Sequence, residues 1–129
     1  MTRIRNKKAF QFLMVLLLIG FVASCSTAPN ANQPAPIQTA YNTIKSAAIA
    51  YDAVMSALGD LDRQGKITLN QKAIVLNYGG KFWRAYHTAV DALYTYKQVG
   101  GDGLSLDSAL STLTAALAGF LEYSAEITK

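Results

Sequence analysis

Residues 37–61 read IQTAYNTIKSAAIAYDAVMSALGDL, and this stretch decides the fold class. Its apolar residues recur at alternating intervals of four and three positions: Ile37, Tyr41, Ile44, Ala48, Tyr51, Met55 and Leu58. That spacing is typical of the buried face of an amphipathic α-helix. No proline or glycine interrupts the pattern before Gly59. We therefore predict a first helix over about 37–63.

A second helix is predicted over about 68–98. Its start has the Thr68-x-x-Gln71 spacing of a capping box. One face carries Val75, Phe82, Tyr86, Ala89 and Leu93, flanked by Leu76, Trp83 and Val90 on one side and by Tyr78 and Tyr96 on the other. The pair Gly79-Gly80 interrupts this pattern, and each glycine costs up to about 1 kcal/mol relative to alanine. We predict a continuous helix that either kinks at this pair or lets another helix approach Gly79 closely.

A third helix is predicted over about 105–128, after the turn sequence Gly100-Gly101-Asp102-Gly103. Its apolar positions repeat the same intervals of four and three: Leu106, Leu110, Leu113, Leu117, Phe120, Ser124 and Ile127. Three amphipathic helices joined by short loops pack best as an antiparallel bundle. The expected fold is all-α, an antiparallel three-helix bundle that occupies residues 37–129.

The first 24 residues have the three parts of a secretory signal. Arg3, Arg5, Lys7 and Lys8 form a positive head, residues 10–22 are almost wholly apolar, and Ala23 and Ser24 are small. The apolar run is shorter than the roughly 20 residues that span a membrane comfortably. The sequence thus predicts export.

Val22-Ala23-Ser24-Cys25 resembles the lipobox of bacterial lipoproteins. The resemblance implies cleavage before Cys25 and a covalent lipid on its sulfur, usually with acylation (palmitate) of the new N-terminus. Two or three acyl chains hold a protein stably on a membrane, whereas one does so only marginally. Ser26 resembles the residue of lipoproteins sorted to the outer membrane, facing the periplasm of a Gram-negative cell. An ordinary cleaved signal and an uncleaved signal anchor are the alternatives.

Residues 25–36 carry all three prolines and no charge, which predicts a disordered tether after the lipidated cysteine. The net charge of +4 belongs to the signal, because removing residues 1–24 leaves eight basic and eight acidic residues. A neutral, exported chain does not favour nucleic acid as a partner. Cys25 is the only cysteine, so neither a disulfide within the chain nor a cysteine metal site is expected.

The loop between the first two helices resembles an EF-hand calcium loop over residues 60–71. Asp60, Asp62, Gly65 and Ile67 match two ligands, the turn glycine and the central apolar residue of that loop. The match fails where Gln71 replaces the bidentate glutamate. A calcium-responsive module would use Asp60, Asp62, Gln64, Lys66 and Gln71. The competing interpretation is a polar turn in which Gly65 ends one helix and Thr68 and Gln71 cap the next.

A candidate binding surface lies on the second helix. Trp83 and Tyr94 fall on one flank of its apolar face, and His87, the only histidine, lies at the edge of that face. Trp and Tyr favour both binding hot spots and membrane interfaces. His87 is also placed to pair with Asp91 one turn later. A single histidine without a nucleophile in an evident motif does not indicate catalysis.

The sequence therefore predicts a small, non-enzymatic envelope lipoprotein without a cofactor, apart from the lipid on Cys25. Its bundle is expected to act as a structural or interaction module that binds an envelope protein or associates with itself. The calcium-responsive module is one alternative. The other alternative is a phage-encoded envelope lipoprotein that acts in lysis or superinfection exclusion. The chain resembles small helical lipoproteins of that kind, but only in general character.

Overall fold

The computed structural model describes residues 35–101 and 103–129, which form three helices. Helix α1 spans Ala35–Arg63, α2 spans Leu69–Val99, and α3 spans Gly103–Ile127. Over these described ranges there is no β-strand. Each helix packs against both others, and the α2–α3 interface is the most extensive. The predicted all-α three-helix bundle is confirmed.

The helix boundaries agree with the predicted ones to within two residues. The largest differences are the starts of α1 at Ala35 and α3 at Gly103, each two residues early. Pro36 was assigned to the tether, but it lies in the first turn of α1. That position suits proline because the first turn has no use for its missing N–H. The predicted signal peptide, the lipidated Cys25 and the tether up to residue 34 lie outside the described residues.

The helices alternate in direction. Tyr51 in the middle of α1 contacts Phe82 and Trp83 in the middle of α2, and the Nζ of Lys72 near the start of α2 lies 2.6 Å from Oδ2 of Asp62 near the end of α1. At the other end of the bundle the start of α1, the end of α2 and the start of α3 border one shallow depression. Helices α1 and α3 therefore run in one direction, and α2 runs in the opposite direction.

Turn chemistry sets the ends of α2. The backbone N–H of Gln71 donates to Oγ1 of Thr68 at 3.2 Å, and the N–H of Thr68 donates to Oε1 of Gln71 at 2.9 Å. This is the predicted capping box. Gly65 and Gly100 have φ values of 67° and 63°, in the left-handed region that favours glycine. Gly100 ends α2 by donating its N–H to the carbonyl of Tyr96 at 3.1 Å.

The core is built from the apolar faces that the sequence predicted. Its fully buried centre contains Phe82 from α2 and Leu113 and Phe120 from α3. Ser124 is also buried, and its hydroxyl donates to the carbonyl of Phe120 at 2.7 Å, which satisfies the polar atom. One assignment to the buried face of α1 is wrong: the side chain of Tyr41 is 53% exposed. Its position at the margin of the stripe turns it outward.

An aromatic stack joins the three helices at mid-height. The ring of Tyr51 is parallel to that of Phe82, with centroids 4.3 Å apart, and is tilted against Phe120 at 4.9 Å. Opposite the Tyr51 hydroxyl, α2 runs through Gly79-Gly80 without interruption. The close approach predicted for Gly79 is therefore present. A Cβ at this position would lie 2.7 Å from the Tyr51 hydroxyl.

Helix α3 is long and apolar enough to cross a membrane by length and composition alone. Its side chains at Leu106, Leu113 and Phe120 are buried against the other two helices. A long apolar helix of this kind is also what the core of a small bundle requires. Only 22% of its most apolar 18-residue window is buried, so packing in the bundle accounts for part of the apolar character of α3.

Candidate functional site

Helix α2 carries a second apolar stripe that the other helices do not cover. Four of its exposed large side chains are spaced by seven residues: Leu69, Leu76, Trp83 and Val90. Tyr94 follows Val90 by four positions and is 64% exposed, and the exposed His87 follows Trp83 by four. We call these six residues the outer seam. It is the most regular group of exposed apolar side chains in the described chain.

The outer seam lies beside the buried face of the same helix. Leu76, Trp83 and Val90 each directly follow a buried residue, namely Val75, Phe82 and Ala89. One step along an α-helix turns about 100°, because 3.6 residues complete a turn. Each pair therefore places one side chain in the core and the next on the flank. The same periodicity that builds the core also builds the outer seam.

Trp83 is held firmly by the core beneath it. Its ring packs edge-on against Tyr51, Phe82 and Tyr86, with centroid distances of 5.5, 5.5 and 5.2 Å. The imidazole of His87 lies 6.0 Å away on the outer side. The indole is still 39% exposed. A large aromatic side chain that is held in place yet exposed has the properties of a binding hot spot, since little conformational entropy is lost when a partner covers it.

Tyr94 lies on the same seam, about 16 Å farther along the axis at 1.5 Å per residue. The ring contacts of the described residues do not include it. The antiparallel register brings the exposed Tyr41 of α1 to its level, because Tyr41 is ten residues before Tyr51 and Tyr94 is eleven after Trp83. Two exposed tyrosines, one on each of two neighbouring helices, thus lie at the same level of the bundle.

Two opposite charges border the outer seam. Arg84 directly follows Trp83, and Asp91 directly follows Val90, so they lie seven residues apart on the same edge. Neither forms an ion pair within residues 35–101 and 103–129, and the pairing of His87 with Asp91 is not formed there either. The edge of the seam therefore presents one free cation and one free anion.

The predicted calcium loop has its polar side chains engaged elsewhere. Asp60 is paired with Arg63, Asp62 with Lys72, and the Gln71 amide oxygen with the N–H of Thr68. The N–H groups of Gln64 and Lys66 are bonded to the carbonyls of Asp60 and Leu61 in the turn. Over the described residues, no group of three or more His, Cys, Asp or Glu side chains comes together as a metal site. The geometry is that of a helix–helix turn.

The structure brings Trp83 and His87 into contact and places Tyr94 on the same seam without touching them. The predicted lipidation site, Cys25, lies outside the described residues. Sequence reasoning missed four members of this surface: it gives Leu69 no role, assigns Leu76 and Val90 to the flank of the core, and assigns Tyr41 to the core itself. The spacing of seven from Leu69 to Val90 is the signal that would have separated an outer stripe from the inner one.

No protein family, curated protein or solved structure matches this chain. Function must therefore be argued from the chain's own residues: the motif at Cys25 and the outer seam of α2.

Proposed function

We propose that this protein is a small membrane-anchored lipoprotein of the bacterial envelope and that its helical bundle is a non-enzymatic protein-interaction module. The observation that carries the proposal is the outer seam, with Trp83 fixed by the core and open to solvent. The sequence motif at Val22-Ala23-Ser24-Cys25 supports the membrane anchor. The two parts fit together, because a lipid places the module at a membrane and the seam gives it a surface for a partner.

The physical support for interaction is the cost of leaving this surface bare. Leu69, Leu76 and Tyr94 are each more than half exposed, and they share one line on one helix. Covering apolar area is worth about 25 cal/mol per Å² before the costs of association. Contiguous exposed apolar patches on soluble domains mark interaction surfaces. The charges of Arg84 and Asp91 supply the polar rim that such surfaces have.

No contact among the described residues favours the calcium alternative. Both carboxylates that would begin the site face cationic side chains, and Gln71 is part of the helix cap.

Two measurements test the proposal, one for each part. Cells that make the chain are labelled with radioactive palmitate, and the Cys25→Ser variant serves as control. We expect label on the wild-type chain and none on the variant. Equal labelling of both would refute the anchor.

The interaction part is tested by photo-crosslinking in intact cells. A photoreactive amino acid is placed at Tyr94 or Leu76 on the outer seam and, as a matched control, at the exposed Glu122 on α3. We expect discrete adducts from the seam positions and not from position 122. If the three positions give the same pattern, the outer seam is not an interaction surface.

A further inference from the structure

The part of the outer seam from Trp83 to Tyr94 is complementary to the same part of a second copy, and Leu69 and Leu76 lie beyond this overlap. We infer that two copies of this chain pair through the outer seams of their α2 helices, antiparallel and about a two-fold axis at the level between Thr88 and Ala89. This inference rests on the proposed interaction function and deepens it by naming the partner.

The spacing of the seam indicates a helix as the partner. Apolar residues every seven positions, with others four positions after them, form the a and d pattern by which helices pair side by side. A helix that lies on a lipid surface instead shows a broad apolar face with the 3.6-residue period of a single helix. The outer seam is a narrow line, because Arg84 and Asp91 follow directly on its apolar residues.

The order of side chains along the seam indicates an antiparallel copy. Trp83 and Tyr94 lie at equal distances on either side of the proposed axis, and so do His87 and Val90. Each Trp83 then faces the second copy's Tyr94, and each Val90 faces the second copy's His87. Gly80, where an added Cβ would meet only the Arg84 side chain, falls opposite Lys97 and leaves room for it. The pairing is isologous, which is the commonest way in which soluble proteins form dimers.

The charges that border the seam favour the same arrangement. Arg84 and Asp91 are seven residues apart with their midpoint one residue from the proposed axis. An antiparallel copy therefore brings each Arg84 to the second copy's Asp91, twice per dimer. In a parallel pair identical residues share a level, and Arg84 would be about 10 Å from the nearest Asp91, at 1.5 Å per residue. Complementary charges of this kind select partner and register more than they add affinity.

Helix α3 is a poor alternative surface for self-association. Its charged residues, Asp107, Glu122 and Glu126, are all acidic and all exposed. Two α3 faces brought together would set like charges against each other, which disfavours that pairing. The seam on α2 has one charge of each sign, so it has no such penalty.

Disulfide formation in the membrane fraction tests the inference with the full chain. Gly80→Cys and Lys97→Cys variants with different tags are made singly and together, then oxidised. The antiparallel pair brings position 80 of one copy to position 97 of the other, so we expect a mixed disulfide and no dimer from either variant alone. Dimers of each single variant would show a parallel pair and overturn the inference. The absence of any disulfide would also overturn it.

Charge reversal provides a second test that keeps the seam intact. Asp91→Arg places like charges at both contacts between Arg84 and position 91 of the second copy. Because two surface ion pairs are lost, we expect the yield of mixed disulfide to fall about tenfold. Arg84→Asp combined with Asp91→Arg should restore it. A double variant as poor as the single one would overturn the inference. Photo-adducts from Tyr94 with a different protein only would overturn the second copy as partner and leave the proposed function standing.

Discussion

The hydroxyl of Tyr51 on α1 lies 2.7 Å from the point that a Cβ on Gly79 of α2 would occupy. That distance is shorter than any stable contact between a methyl group and an oxygen. The tyrosine ring has little room to move away, because it packs against the rings of Phe82, Trp83 and Phe120. The close contact therefore requires a residue without a Cβ at position 79, although glycine has a low helix propensity.

Gly79→Ala should lower the free energy of unfolding by about 1–3 kcal/mol through overpacking, even though alanine favours the helix. The matched control is Gly80→Ala, whose added Cβ meets only the Arg84 side chain at 3.6 Å. That variant should be stabilised by up to about 1 kcal/mol. Urea denaturation followed by circular dichroism measures both.

The oxygen itself can be tested with Tyr51→Phe. Combined with Gly79→Ala, it should recover most of the lost stability, because it removes the atom that meets the new methyl group. If the double variant stays as unstable as Gly79→Ala alone, the contact between Tyr51 and Gly79 is not the cause.

Thr68→Ala should reduce stability by about 1 kcal/mol, since the threonine oxygen accepts the N–H of Gln71 at the start of α2. Thr114→Ala is the control, because that hydroxyl donates only to the carbonyl of Leu110 one turn back on an exposed face. It should change stability by less than about 0.5 kcal/mol. Equal effects of the two variants in thermal denaturation would argue against the capping box as the source.

Phe120→Ala should be among the most damaging single changes, at about 3–5 kcal/mol, because the side chain is fully buried at the centre of the aromatic stack. The control on the same helix is Leu104→Ala, whose side chain is 75% exposed. Its expected effect is within about 0.5 kcal/mol. Similar losses in denaturant titrations would contradict the placement of Phe120 in the core.

Calcium at millimolar concentration should leave the melting temperature unchanged. Asp60 and Asp62 are each paired with a cation, and Gln71 is used in the helix cap. Calorimetric titration should show no heat beyond dilution. Heat that disappears in Asp60→Asn combined with Asp62→Asn would contradict this and revive the calcium alternative.

The fold was largely predictable from sequence, because each helix repeats its apolar residues at the helical period. The capping box and the close approach at Gly79 followed from local patterns in the same way. The burial of Tyr41 was predicted wrongly. Periodicity gives the direction in which a side chain points from its helix, but it does not show whether a neighbouring helix lies close enough to cover that side chain. The composition places Pro36 in the tether, because proline content does not show that a helix can begin one residue before it.

The candidate site was predictable in part. Trp83, His87 and Tyr94 were singled out by residue type and flank. Leu76 and Val90 were not, because a flanking apolar residue is usually covered by an adjacent helix and only the packed bundle shows which flank stays open. The spacing of seven from Leu69 to Val90 marks a second stripe, but it does not show whether a neighbouring helix covers that stripe.

The opposite directions of α1 and α2 have a consequence for how a pair of copies would sit at a membrane. In an antiparallel pair centred between Thr88 and Ala89, each α1 begins about 15 Å from the two-fold axis and each α2 begins about 30 Å from it, at 1.5 Å per residue. If the pair stood upright on a bilayer, the farther α1 would therefore begin about 45 Å above the membrane. From Cys25 to Ala35 the chain reaches at most about 35 Å. Two copies anchored in one leaflet would therefore lie with their helix axes along the bilayer surface. An upright pair would have to join two facing membranes.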